Sequence, residues 1–138
     1  MQYIQNTTER KVIYVYEKEY KEEKGFLKIG DTSIGDFNTD QSTNSPYLRK
    51  IAEERIREYD RTSKINILYV TTAVTNKPFQ AFRDHQVHQV LIRSGIPKVK
   101  KGKSTEWFKI DLDIAISAIE AVKNRKSSID IPNQQSTK

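Results

Sequence analysis

The stretch KVIYVYEK, Lys11 to Lys18, decides the fold. Its β-branched and aromatic residues put Val12, Tyr14 and Tyr16 on one face and Ile13 and Val15 on the other, the two-residue period of a strand. The charged segment that follows, EYKEEKG from Glu19 to Gly25, is too polar for a core. It leads into FLKIGD, where Phe26, Lys28 and Gly30 alternate with Leu27 and Ile29. The two runs predict a hairpin. Its register is not set by the sequence, so whether Tyr14 and Lys28 meet across it stays open.

Working outward, residues 36–46, DFNTDQSTNSP, are polar and turn-rich and predict a loop, with Ser45-Pro46 as the start of a helix. Tyr47 to Tyr59 carries Leu48, Ile51, Ala52 and Tyr59 at helical spacing. Arg55 interrupts that stripe with a guanidinium, placed by spacing on the inward face, where an unpaired charge is costly. INILYVTT, Ile65 to Thr72, is a third strand; a second helix is expected from about Phe79 to Ser94, stopped by Gly95. After a basic loop, PKVKKGKS, the short strand TEWFKID sets Glu106, Phe108 and Ile110 opposite Trp107 and Lys109. Asp111 suits an N-cap for a last helix bearing Leu112, Ala115, Ile116, Ile119 and Val122. The elements predict an α+β domain: a small, mostly antiparallel three-stranded sheet with a short extra strand, flanked by about three helices. The domain is expected over residues 1–125, with 126–138 a flexible tail or linker.

With 138 residues and 36% hydrophobic content, the chain has material for one modest core. Lys and Arg number 24 against 18 Asp and Glu, a net charge of +6, which suits a polyanionic partner such as DNA or RNA. The absence of cysteine excludes disulfides, thiolate metal sites and cysteine nucleophiles, so any metal must be held by oxygen or imidazole. No apolar run approaches the roughly 18 residues of a membrane span, and the N-terminus lacks a signal-peptide core, so a cytoplasmic location without membrane association is expected.

Three polar groups on apolar stripes call for explanation: Arg55, Asp84 and His88. Asp84 and His88 lie one turn apart beside Val87 and Leu91. They either act together or are a helix-capping acid and a half-exposed imidazole packed next to it. Tyr14 is either a functional phenol or half of a cross-strand aromatic pair, and Lys28 either meets it or extends its ammonium to solvent. Gly30 marks a bulge or a place where a phosphate approaches the backbone.

The order of these residues resembles that of the GIY-YIG nucleases. There, two strands bearing Gly-Ile-Tyr and Tyr-Ile-Gly precede a helix with a catalytic arginine, a third strand, and a helix with a metal-binding carboxylate. Here the triads are Val12-Ile13-Tyr14 and Lys28-Ile29-Gly30, and the sequences LKIGDT, EERIREY, DHQVHQVL and TEWF are similar to a phage-associated subfamily with a Lys-Ile-Gly second triad. The resemblance spans roughly residues 11–120. It implies that Tyr14 contacts or deprotonates the attacking water, that Lys28 stands in for the second tyrosine, and that Arg55 stabilises the phosphate. It implies further that Asp84 replaces the metal-binding glutamate and that His88 is the subfamily histidine. Glu106 is a motif position, either a partner of the metal carboxylate or the ligand itself. Departures are Val12 for glycine, a long inter-triad loop, Lys28 for tyrosine and Asp84 for glutamate.

The function so implied is a DNA endonuclease using one Mg²⁺ or Mn²⁺, with Asp84 or Glu106 as metal ligand and Tyr14, Lys28, Arg55 and His88 as catalytic residues. Arg49, Lys50, Lys98, Lys100, Lys101 and Lys103, with Gly30, would hold the nucleic-acid backbone without reading sequence. RNA is a possible alternative substrate, and the resemblance implies a C-terminally fused helicase or restriction-type ATPase. Two rival readings fit the same residues. One is an inactive module of the same fold that places a partner on DNA. The other is a protein-interaction domain in which Arg55, Asp84 and Glu106 form only an ion network.

Overall fold

The computed structural model describes residues 10–34, 40–101 and 104–131. Strands β1 (Lys11–Lys18), β2 (Phe26–Ser33), β3 (Ile65–Thr72), β4 (Val99–Lys101) and β5 (Ser104–Lys109) form one antiparallel sheet in the order β3-β1-β2-β5-β4. Helices α1 (Pro46–Tyr59), α2 (Asp84–Arg93) and α3 (Leu112–Lys123) flank it.

The alternation in β1 explains the layering. Val12, Tyr14 and Tyr16 pack with Leu48, Ala52 and Ile56 of α1 and with Val70 and Trp107. Ile13 and Val15 face the other way, onto a larger core with Leu27, Ile29, Val87, Leu91, Phe108 and Ile119. A strand with apolar side chains on both faces must be central, and β1 lies between β2 and β3. Phe108 is fully buried, and its replacement by alanine is expected to cost about 3–5 kcal/mol. Helix starts follow the expected chemistry: Ser45 Oγ accepts from Leu48 N at 3.2 Å with Pro46 behind it, and Asp111 Oδ1 accepts from Ile114 N at 3.1 Å. Gly95 follows α2 at φ +94°, a conformation open to glycine.

Four expectations need correction. The sheet has five strands, because the lysine-rich segment expected as a loop contains β4, with Val99 opposite Trp107 and Lys101 opposite Ser104. Lysines are tolerated at such an edge because their charges discourage further pairing. Helix α2 begins at Asp84, not near Phe79. The preceding residues are held extended by a Val74–Ala81 bridge and by Phe82 N donating to Ala73 O at 3.0 Å. Arg55 is exposed; the buried stripe of α1 is Leu48, Ala52 and Ile56, and the long Arg55 side chain leaves that stripe for solvent. Past Lys126 the chain stays packed as far as Ile131, which joins the core, with Ile129 N donating to Ser94 Oγ at 2.9 Å.

Candidate active site

The pairing of β2 with β5 ends at Lys28 opposite Trp107, while β1 accompanies β2 on to Ser33. Among the described residues β2 therefore has an open edge from Ile29 onward, and the candidate residues gather around it. The Ile29 carbonyl is met by His88 Nε2 at 2.8 Å. Since a carbonyl only accepts, the neutral ring carries its proton on Nε2, leaving Nδ1 with a lone pair. His88 is 2% exposed, and burial lowers its pKa, against the raising influence of the Ile29 hydrogen bond and of Asp84. It is a fully buried imidazole that substitutes for a missing strand neighbour, not the half-exposed one that simple packing suggests.

On the α1 face, Tyr14 lies opposite Gly30. A Cβ at Gly30 would fall 2.6 Å from both Cζ and Oη of Tyr14, so the ring crosses the place a side chain would fill. The β1–β2 register runs without a shift here, so Gly30 is not a bulge. The Tyr14 hydroxyl pairs with that of Tyr59, from the last turn of α1, at 3.0 Å. Lys28 Nζ sits 4.1 Å above the Tyr59 ring and Arg55 Cζ 5.4 Å from it, so one phenol carries two cations. Arg55 Nη1 also binds Glu58 Oε1 at 2.8 Å. Burial pushes the Tyr14 pKa up to about 12, despite the Tyr59 hydrogen bond and the Arg55 charge. Burial also lowers that of Lys28, opposed chiefly by Glu106. Lys28 is directly opposite Tyr16, so it meets Tyr14 through Tyr59 and not by cross-strand pairing.

On the α2 face, Asp31 Oδ2 accepts from Asp84 N and from Arg83 Nε, each at 2.8 Å, so a strand carboxylate caps the start of α2. Asp84 follows in the first turn. Burial raises its pKa, helped by the negative charges of Asp31 and Glu106, while His88 opposes the rise. Glu106 is exposed on β5, and its field reaches Lys28, Asp84 and His88. The two faces lie within electrostatic reach of each other, since the charges of Arg55, Asp31 and Asp84 all act on the Tyr14 phenol. Tyr14, Lys28, Arg55, Asp84, His88 and Glu106 thus form one neighbourhood. Tyr59 and Asp31 belong to it, and sequence reasoning missed both. The only signals were a phenol four residues after Arg55 and an acid directly after Gly30.

The expected backbone-binding residues do not form one surface. Arg49 Nη1 donates to Ile67 O at 2.6 Å and its Nε to Asn44 O at 3.4 Å, fastening α1 to β3; Lys50 is exposed beside it. Lys100 and Lys101 lie on β4 at the opposite edge of the sheet. Lys101 pairs with Glu23 at 3.1 Å and lies 4.1 Å above the Phe26 ring. Lys98 is exposed and its charge is felt at His88. Lys103 lies outside the described residues.

Among the described residues no three His, Asp or Glu side chains form a metal-holding group. The carboxylates of Asp84 and Glu106 are oxygen donors, the kind a hard cation takes. Asp84 is surrounded by like charge from Asp31 and Glu106, a cost that a divalent ion would relieve.

A five-stranded antiparallel sheet flanked by three helices is an α+β fold broadly like that of the GIY-YIG-like nuclease superfamily. The family model of the T5orf172 domain matches residues 11–123, and the chain belongs to that family. No curated protein and no solved structure matches the chain. Among the described residues no helix is long and apolar enough to cross a membrane.

Proposed function

We propose that this domain is a metal-dependent endonuclease that hydrolyses DNA phosphodiesters at the open edge of β2. The observation that supports it most is the meeting of two cations, Arg55 and Lys28, and a phenol pair with the acid-imidazole pair of α2 around one stretch of strand. Phosphodiester hydrolysis needs positive charge for the anionic transition state and an oriented water. Arg55 and Lys28 supply the charge. Tyr14, neutral at pH 7 with its pKa near 12, orients the nucleophile by hydrogen bonding and is a poor base in this form. His88 Nδ1 is the better proton acceptor, with Nε2 held by Ile29.

Asp84 would hold one Mg²⁺ or Mn²⁺, with Glu106 as the second donor. When bound, the cation supplies Lewis-acid charge to the phosphate. The Lys-Ile-Gly triad supports a place in the phage-associated branch of the superfamily, in a cytoplasmic DNA-processing protein whose further part is a helicase or restriction-type ATPase. A second reading, a targeting module that binds without cutting, draws support from the same high Tyr14 pKa.

Supercoiled plasmid incubated with the domain in Mg²⁺, Mn²⁺ or EDTA separates the two. The nuclease reading expects metal-dependent nicking that Arg55→Ala abolishes in a folded protein. Tight, salt-sensitive binding with no nicking supports the targeting module instead.

A further inference from the structure

Phe79 is 70% exposed, the most exposed of the large hydrophobic side chains described. Its loop is nevertheless tightly fastened. Arg125 donates to the carbonyls of Asn76, Lys77 and Pro78, to Thr75 Oγ1 at 2.9 Å and to Gln80 Oε1 at 3.1 Å. Thr75 N donates to Gln80 O at 2.8 Å, Thr75 Oγ1 to Pro78 O at 2.9 Å, and Asn76 N to Lys123 O at 3.0 Å. So many ties around a ring turned to solvent make a preorganised platform, not a loose loop tip.

The surroundings are cationic. Residues 71–82 and 120–130 contain four cations, Lys77, Lys123, Arg125 and Lys126, against two acids, Glu120 and Asp130. A groove of about 390 Å³ adjoins the loop, lined among others by Thr75, Gln80, His85, Gln86, Arg93 and Arg125. Among the described residues no acidic side chain lines it. The platform projects from the end of the sheet where Thr72, Val12 and the last residues of β2 lie side by side, the end that also carries Gly30 and Asp31.

We propose that Phe79 is a stacking platform for an unpaired base, and that the phosphates of this single-stranded nucleic-acid segment run along the adjoining groove. An aromatic face accepts any base, and a cationic, amide-rich groove follows the backbone without reading it. This inference deepens the nuclease reading by naming a single-stranded element in its substrate.

Titration of a Phe79→Trp variant with oligothymidylate in EDTA tests it, read by tryptophan fluorescence against the parent, whose Trp107 is buried. The expected result is quenching that the parent and a duplex of equal length do not give. Phe79→Ala and Phe79→Leu should both bind roughly tenfold more weakly, with Phe79→Trp equal to the parent. Absent quenching, equal quenching by duplex, or parental affinity in Phe79→Leu would overturn the proposal. Because binding is read without metal, a domain that quenches but never cuts refutes the nuclease alone. One that cuts without quenching refutes only the platform.

Discussion

Tyr14 stands opposite Gly30, and its phenol occupies the volume that a Cβ on Gly30 would need, 2.6 Å from Cζ and Oη. The glycine of the second triad is therefore required by the tyrosine of the first. Both the ring and Gly30 itself are buried, so the ring has little room to yield. Gly30→Ala is expected to destabilise the domain by about 1–3 kcal/mol, the range for overpacking a full core, and to abolish nicking by moving the phenol. Urea denaturation checks the first effect, and unchanged stability would show that the ring has somewhere else to go.

The Tyr14–Tyr59 hydroxyl pair, at 3.0 Å, predicts matching phenotypes. Tyr14→Phe and Tyr59→Phe should each lose about 0.5–1.5 kcal/mol, and the double variant little more than either, because one hydrogen bond is shared. Strict additivity in a double-mutant cycle would mean that the two hydroxyls do not interact.

Acid should weaken the fold through His88. Its pKa is lowered from an ordinary 6.5 by burial, so its contribution is intact above about pH 6.5 and is lost as pH falls toward the folded-state value. Within that window the loss approaches about 1.4 kcal/mol per pH unit. Melting temperatures between pH 7.5 and 5 should fall for the parent and fall less for His88→Gln, whose amide can still donate to Ile29 O. Parallel curves would place the acid sensitivity elsewhere.

Asp31 is a positioning residue through its 2.8 Å contacts to Asp84 N and Arg83 Nε. Asp31→Ala should cost about 1–2 kcal/mol, as for loss of a helix cap. It should also speed hydrogen exchange at the first amides of α2 and slow cutting, whereas Asp31→Asn, keeping an acceptor oxygen, should restore part of each. An unchanged exchange rate at Asp84 would remove Asp31 from this role.

Much of the fold was legible because it rests on local periodicity: both faces of β1, the caps at Ser45 and Asp111, and the stop at Gly95. What was missed depends on partners distant in sequence. Asp31 meets the start of α2 across 53 residues, and Tyr59 meets Tyr14 across 45. β4 is three residues long and mostly lysine, so only its pairing with β5 reveals it. Helical spacing put Arg55 inside, but a long charged side chain at a stripe's margin turns outward. The order of the site residues was readable through family resemblance; the open edge of β2 that gathers them was not.

The most direct test is the nicking rate of Asp84→Asn in Mg²⁺, measured beside its stability at neutral pH. The raised pKa of Asp84 means that its ionised form costs stability once pH rises through the folded-state value, and the amide removes that cost. The account predicts a variant more stable than the parent at pH 7 and slower at nicking by a hundredfold or more, on the order expected for losing an electrostatic catalytic group. A stable Asp84→Asn protein that nicks as fast as the parent would contradict it.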